Sequence, residues 1–166
     1  MKLLFSEKEI ETKTKELAKT LNDKYKNQDV VMIYIEKGGK PFFEKLTSNL
    51  SINTIKDSIR VKSYNGTESG QLTWLKKPSV ELKNKTCILV DDILDTGQTI
   101  KKVKKFMTEA GAKECKICVA VNKHERRIED IEPHYYLFDL DKGFIVGFGM
   151  DYNEDYRELP AIYSMD

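Results

Sequence analysis

The chain has 166 residues, 40% of them hydrophobic and 33% charged, with 28 Lys+Arg against 27 Asp+Glu and a formal net charge of +1. This profile fits one globular domain with a core large enough to stand alone, and the even mixture of charge gives no electrostatic reason to expect a nucleic-acid or membrane partner. No apolar run approaches the roughly 20 residues a membrane helix needs. Residues 1–6 are apolar only at positions 3–5 and lack the stretch of a secretory signal, so a cytoplasmic location is expected.

In chain order, Ser6 and Glu9 form a capping box, and Ile10, Leu17, Ala18 and Leu21 follow at helical spacing. Residues 29–35 (DVVMIYI) are apolar on consecutive positions, the pattern of a strand buried on both faces of a parallel sheet. Gly38-Gly39 breaks that strand; 41–50 reads as helix and 52–64 contains a second strand. The polar, turn-rich run 65–78 (NGTESGQLTWLKKP) reads as a long mobile loop. A buried strand over 86–90, a helix over 100–110 stopped by Gly111, and strands over 115–121, 135–140 and 144–148 complete the pattern. Strands alternating with helices predict an α/β fold with a central, mainly parallel sheet flanked by helices.

Three cysteines, Cys87, Cys115 and Cys118, do not make a disulfide framework. The C-x-x-C spacing of Cys115 and Cys118 lies in a strand-like run, where residues three apart point to opposite faces. Neither His124 nor His134 supplies a convincing second ligand pair, so the cysteines read as small core hydrophobes.

The chemistry concentrates in residues 86–100, TCILVDDILDTGQTI: a strand, an acid pair, and a Thr/Gly-containing loop opening a helix. Unpaired amides and the positive dipole end at a helix N-terminus suit the loop 96–99 to phosphate, with Gly97 allowing close approach and Thr96 and Thr99 offering hydroxyls. Asp91 and Asp92 leave the strand just before it, where carboxylates accept from sugar hydroxyls or hold Mg²⁺. Phosphate at one end and hydroxyls with a divalent cation at the other describe a phosphorylated sugar. Asp-Thr-Gly also occurs in aspartic proteases, which are all-β, and a bland reading makes the acids mere caps of the next helix.

VDDILDTGQT resembles the phosphoribosyl-pyrophosphate motif of type I phosphoribosyltransferases. The run 143–160 (GFIVGFGMDYNEDYRELP) resembles the hypoxanthine-guanine members of that family, and the likeness extends over about residues 6–162. The resemblance implies one domain, 1–166, with a core at about 27–130, a hood over the purine from about 1–10 and 131–166, and a lid at about 65–78 opened by Ser63 and Tyr64. It also implies transfer of a phosphoribosyl group from phosphoribosyl pyrophosphate to hypoxanthine or guanine in purine salvage, with Mg²⁺.

In that scheme Asp95 is the general base. Asp91, Asp92, Thr96, Gly97, Gln98 and Thr99 hold the phosphoribosyl group, while Lys37, Gly38, Arg127 and Arg157 bind pyrophosphate. Lys123, Phe144, Ile145 and Asp151 bind the purine, and the metal ligands are Asp91, Asp92 and Asp151. Glu36 stands where the family usually carries an apolar residue. A homodimer or homotetramer is expected. Other readings are a transferase for xanthine or another base, and a non-catalytic regulator that senses phosphoribosyl pyrophosphate. Without the resemblance, residues 123–127 are a solvated charged loop, and Phe148 and Tyr152 are part of an edge strand and capped turn.

Overall fold

A computed structural model describes residues 1–62 and 72–166. Ser63, Tyr64 and the 65–71 part of the expected lid lie outside the described residues. The elements in order are β1 (Lys2–Phe5), α1 (Glu7–Lys24), β2 (Asp29–Ile35), α2 (Lys40–Ser48), β3 (Asn53–Lys62), β4 (Thr73–Lys76) and β5 (Thr86–Leu94), then α3 (Gln98–Glu109), β6 (Glu114–Lys123), β7 (Tyr135–Leu140), β8 (Ile145–Val146) and β9 (Ile162–Ser164).

Six strands form the central sheet in the order β4-β3-β2-β5-β6-β7. All neighbours pair in parallel except β4, which runs antiparallel to β3 at the edge. The consecutive apolar residues of the inner strands follow from burial on both faces. Val30, Met32, Ile88, Val90 and Cys118 face a layer with Ile10, Leu21, Phe42 and Leu46 from α1 and α2. Val31, Ile33, Cys87, Leu89, Cys115 and Ile117 face Ile100, Val103 and Met107 of α3. Cys115 and Cys118 therefore sit in separate core layers. Burial pushes the Cys115 thiol up to about 12 and the Cys87 thiol up to about 11, which makes both inert packing groups.

The N-terminus of α1 is closed by the capping box, Ser6 Oγ accepting from Glu9 N at 3.1 Å and Glu9 Oε1 accepting from Ser6 N at 3.1 Å. A separate antiparallel sheet, β1-β9-β8, joins the start of the chain to its last third. It packs on the central sheet through Phe5, whose ring stacks on Phe138 with centroids 4.0 Å apart.

The strands β1 and β9 were not expected from the sequence, and three further elements differ from the expectation. The strand expected over 86–90 continues to Leu94, because pairing with β6 persists through Asp91↔Val119 and Leu94↔Asn122. Part of the run read as a loop, Thr73–Lys76, adds to the sheet edge, with Trp74 packed against Phe106 of α3 at 4.6 Å between centroids. The strand expected over 144–148 is only Ile145–Val146, because Gly147, Phe148 and Gly149 all adopt positive φ and turn the chain. No helix among the described residues is long and apolar enough to cross a membrane.

Candidate active site

In an open parallel sheet the crevice forms where the strand order reverses direction, beyond the carboxyl ends of the strands. Here that point lies between β2 and β5. The loop after β2 carries Lys37 and Gly38, and the end of β5 carries Asp91, Asp92 and Asp95.

The two loops touch. A Cβ on Gly38 would collide with Asp92 Oδ2, so any larger residue there would have to displace that carboxylate. The Glu36–Lys37 peptide is cis. Glu36, the departure from the family pattern, is held from the neighbouring strands: its Oε2 accepts from Ser58 Oγ at 2.6 Å and pairs with Lys76 Nζ at 3.3 Å. The Ser58 hydrogen bond, reinforced by Lys76, keeps its carboxyl below the usual value even though burial opposes this.

Asp91 and Asp92 form a tightly coupled buried pair. Desolvation raises the Asp91 carboxyl well above its ordinary value, and the charge of Asp92 adds to the rise. Asp92 is only 9% exposed, and burial raises it too, against hydrogen bonds from Asp91 and Ile93 N and the charge of Arg157. Two carboxylates in this state attract hydroxyl donors or a divalent cation.

After them, Gly97 turns the chain at φ 87° and begins α3. A Cβ there would lie 2.7 Å from Ile131 Cγ2. In contrast with α1, this helix has no side-chain cap and no acid in its first turn. Among the described residues the one side-chain bond within the turn is Gln98 N donating to Thr96 Oγ1 at 3.3 Å. The bare amides and the positive dipole end can therefore receive a phosphate between Thr96 and Thr99. A pocket lined by Asp91, Asp95, Thr96, Gly97 and Thr99 opens there.

A second pocket shares Ile93 and Asp95 with the first and is completed by Asp92, Lys123, Arg126, Phe144, Ile145, Met150 and Asp151. Lys123 is only 4% exposed, with Nζ 3.7 Å from Asp95 Oδ1. Asp95 Oδ1 is buried and accepts no hydrogen bond among the described residues, while Oδ2 accepts from Arg126 at 3.1 Å. The Phe144 ring is 41% exposed and meets Tyr152 edge-on, with centroids 5.7 Å apart, which leaves an aromatic face free for a planar ligand. Ile145 is buried behind it.

Arg127, expected to bind pyrophosphate, makes its contacts within the protein. Its Nε donates to Asp95 O at 2.9 Å and Nη1 to Ile131 O at 2.9 Å. Nη2 donates to Leu94 O, Asn122 Oδ1 and Lys123 O at 3.0, 2.6 and 2.9 Å. Every guanidinium nitrogen is thus engaged within the protein, and the residue clamps the loops that carry Asp95 and Lys123. Arg126, which sequence reasoning passed over, is the neighbour that reaches Asp95. The signal was present only as a second arginine in the charged run.

Arg157 stays beside the crevice. Nη1 donates to Gly149 O at 2.9 Å, Nη2 pairs with Asp151 Oδ2 at 3.4 Å, and Nε is buried without an acceptor. Asp151 is thereby engaged with Arg157 and, among the described residues, is not gathered with Asp91 and Asp92 into a three-carboxylate metal cluster. A Mg²⁺ that takes one or two carboxylates and completes its shell with substrate oxygens and water fits this donor set; a closed all-protein cage does not.

The family of the phosphoribosyl transferase domain matches residues 3–153. A hypoxanthine-guanine phosphoribosyltransferase of Streptococcus thermophilus is 36% identical over 163 residues, covering 97% of this chain and 91% of the relative. The crystal structure of a hypoxanthine-guanine phosphoribosyltransferase from Bacillus anthracis has a TM-score of 0.95 at 32% identity and covers 100% of this chain and 99% of that one. That of a hypoxanthine phosphoribosyltransferase from Staphylococcus aureus has a TM-score of 0.93 at 30% identity, covering 99% and 92%. The chain belongs to the phosphoribosyltransferase family.

Proposed function

We propose that the protein is a purine-salvage transferase that moves the 5-phosphoribosyl group from phosphoribosyl pyrophosphate to hypoxanthine and guanine, giving IMP or GMP and pyrophosphate. The observation that carries this reading is the junction of the two pockets at Asp95. An acid pair and an uncapped helix start lie on one side, and a buried lysine with an open aromatic face lies on the other.

Asp91 and Asp92 hold the ribose hydroxyls, and the amides and hydroxyls of 96–99 hold the 5′-phosphate. The base lies on Phe144, with its 6-oxo group on Lys123 and its edge along Ile145 and Asp151. Its N9 attacks the anomeric carbon as the bond to the pyrophosphate oxygen breaks. The proton leaving the ring goes to Asp95, whose Oδ1 is buried and without a hydrogen-bond donor among the described residues. Lys37 and Arg157 receive the charge that develops on the leaving group. Mg²⁺ held at Asp91 and Asp92 with substrate oxygens would neutralise further charge there.

The domain assignment is a single unit, 1–166, with its core at 27–130, a hood from 1–10 and 131–166, and a lid over 65–78. The protein works as a homodimer or homotetramer in the cytoplasm.

A spectrophotometric assay with phosphoribosyl pyrophosphate, Mg²⁺ and each of hypoxanthine, guanine, xanthine and adenine tests the reading. Turnover of hypoxanthine or guanine and not adenine is expected. Turnover of xanthine alone would reassign the base. Binding of phosphoribosyl pyrophosphate with no turnover of any base would overturn the enzyme reading in favour of a sensor.

A further inference from the structure

The two cations assigned to pyrophosphate already hold an anion. Glu154 Oε2 lies 3.4 Å from Lys37 Nζ and 3.1 Å from Arg157 Nη2, so one carboxylate oxygen bridges the loop after β2 and the turn after β8. Glu154 is exposed, with 65% of its side-chain surface open, and Arg157 followed by Lys37 holds its carboxyl below the usual value.

The turn itself is built to deliver it. Asn153, Glu154 and Tyr156 all take positive φ, at 52°, 69° and 79°, a conformation that non-glycine residues adopt rarely. Asp151 Oδ2 accepts from Glu154 N at 2.9 Å and pins the start of the turn. Arg157 keeps one N–H, on its buried Nε, without an acceptor. The guanidinium is therefore only partly satisfied by the glutamate.

We infer that Glu154 is a resident anion of the pyrophosphate subsite, holding Lys37 and Arg157 in the unloaded protein and yielding both cations to an incoming diphosphate. This rests on the pyrophosphate assignment above and adds a competitor to it. A diphosphate brings more charge and more acceptor oxygens than one carboxylate and so displaces it. When pyrophosphate leaves, the return of Glu154 to the two cations offsets part of the cost of separating them from it. A weak, exposed bridge suits that exchange better than a buried one, because exposed ion pairs are each worth little and break readily.

The test is the affinity of the full-length protein for Mg²⁺-pyrophosphate and for IMP, measured by calorimetry on wild type, Glu154→Gln and Glu158→Gln. The last removes the same charge from a neighbour that pairs with neither cation among the described residues. Glu154→Gln should bind pyrophosphate about 3- to 10-fold more tightly, the scale of losing two exposed ion pairs. It should bind IMP, which has no diphosphate, with unchanged affinity, and Glu158→Gln should match wild type for both. Unchanged or weaker pyrophosphate binding by Glu154→Gln would overturn the inference, as would an equal gain for IMP. A wild-type protein that neither binds pyrophosphate nor turns over phosphoribosyl pyrophosphate would instead overturn the functional reading beneath it.

Discussion

The guanidinium of Arg127 donates through Nε to the main-chain carbonyl of Asp95 at 2.9 Å, and through Nη2 it also holds the carbonyls of Leu94 and Lys123. One side chain thus sets the distance between the ends of β5 and β6, which carry the two polar groups of the purine pocket. Arg127→Met should lower stability by about 3 kcal/mol or more, because it strips several charge-assisted hydrogen bonds and leaves buried carbonyls unpaired. It should lower kcat while leaving pyrophosphate affinity near wild type. Urea unfolding and pyrophosphate inhibition, run on the same preparation, check both parts. A large loss of pyrophosphate affinity in a stable variant would restore Arg127 to the role its sequence position implied.

Asp95 has two unlike oxygens. Oδ2 is fixed by Arg126, and Oδ1 lies buried near Lys123 without a hydrogen bond. Asp95→Asn keeps the size and the Arg126 contact through its carbonyl but removes the proton acceptor. General-base catalysis contributes roughly 10²–10⁴-fold, so kcat should fall by about that factor with little change in the affinity for phosphoribosyl pyrophosphate. Steady-state kinetics with hypoxanthine decides it, and a variant with normal turnover would remove Asp95 from the proton path.

Much of this site was legible because it is contiguous. Residues 86–100 carry strand, acid pair, loop and helix start in one run, and local rules for buried strands and helix starts suffice to read them. The alternating strands and helices likewise gave the parallel sheet, since two-sided burial leaves an unbroken apolar run. What could not be read depends on partners far apart in sequence. Arg127 looked free for a ligand because its acceptors, at 94, 95, 122, 123 and 131, converge only when β5 and β6 pair. Glu154 looked like one acid among several until the fold set it against Lys37, 117 residues away. The strand at Thr73–Lys76 was hidden by its polar setting, as edge strands often are, because one side needs no apolar cover.

His134 gives the fold a pH dependence whose sign follows from its contacts. Its Nδ1 accepts from Ile117 N at 3.0 Å, while the main-chain N–H of His134 donates to Ile117 O at 2.9 Å, docking the approach to β7 onto β6. Desolvation of the ring lowers its pKa from the ordinary value of 6.5, and the positive charges of Lys116, Lys104 and Lys24 add to this, outweighing Glu114. A protonated Nδ1 could not accept that bond. Because the folded value lies below the unfolded one, the contribution is fully present above about pH 6.5 and is lost as pH falls through the folded value. Urea midpoints of wild type and His134→Asn should therefore differ by a constant amount at pH 7 and above. Below about pH 6.5 the wild-type protein should lose ground to the variant, which has no imidazole to protonate. A difference that stays flat from pH 8 to pH 5 would mean that the ring titrates alike in the folded and unfolded chains, and that the Ile117 contact does not depend on its neutral form.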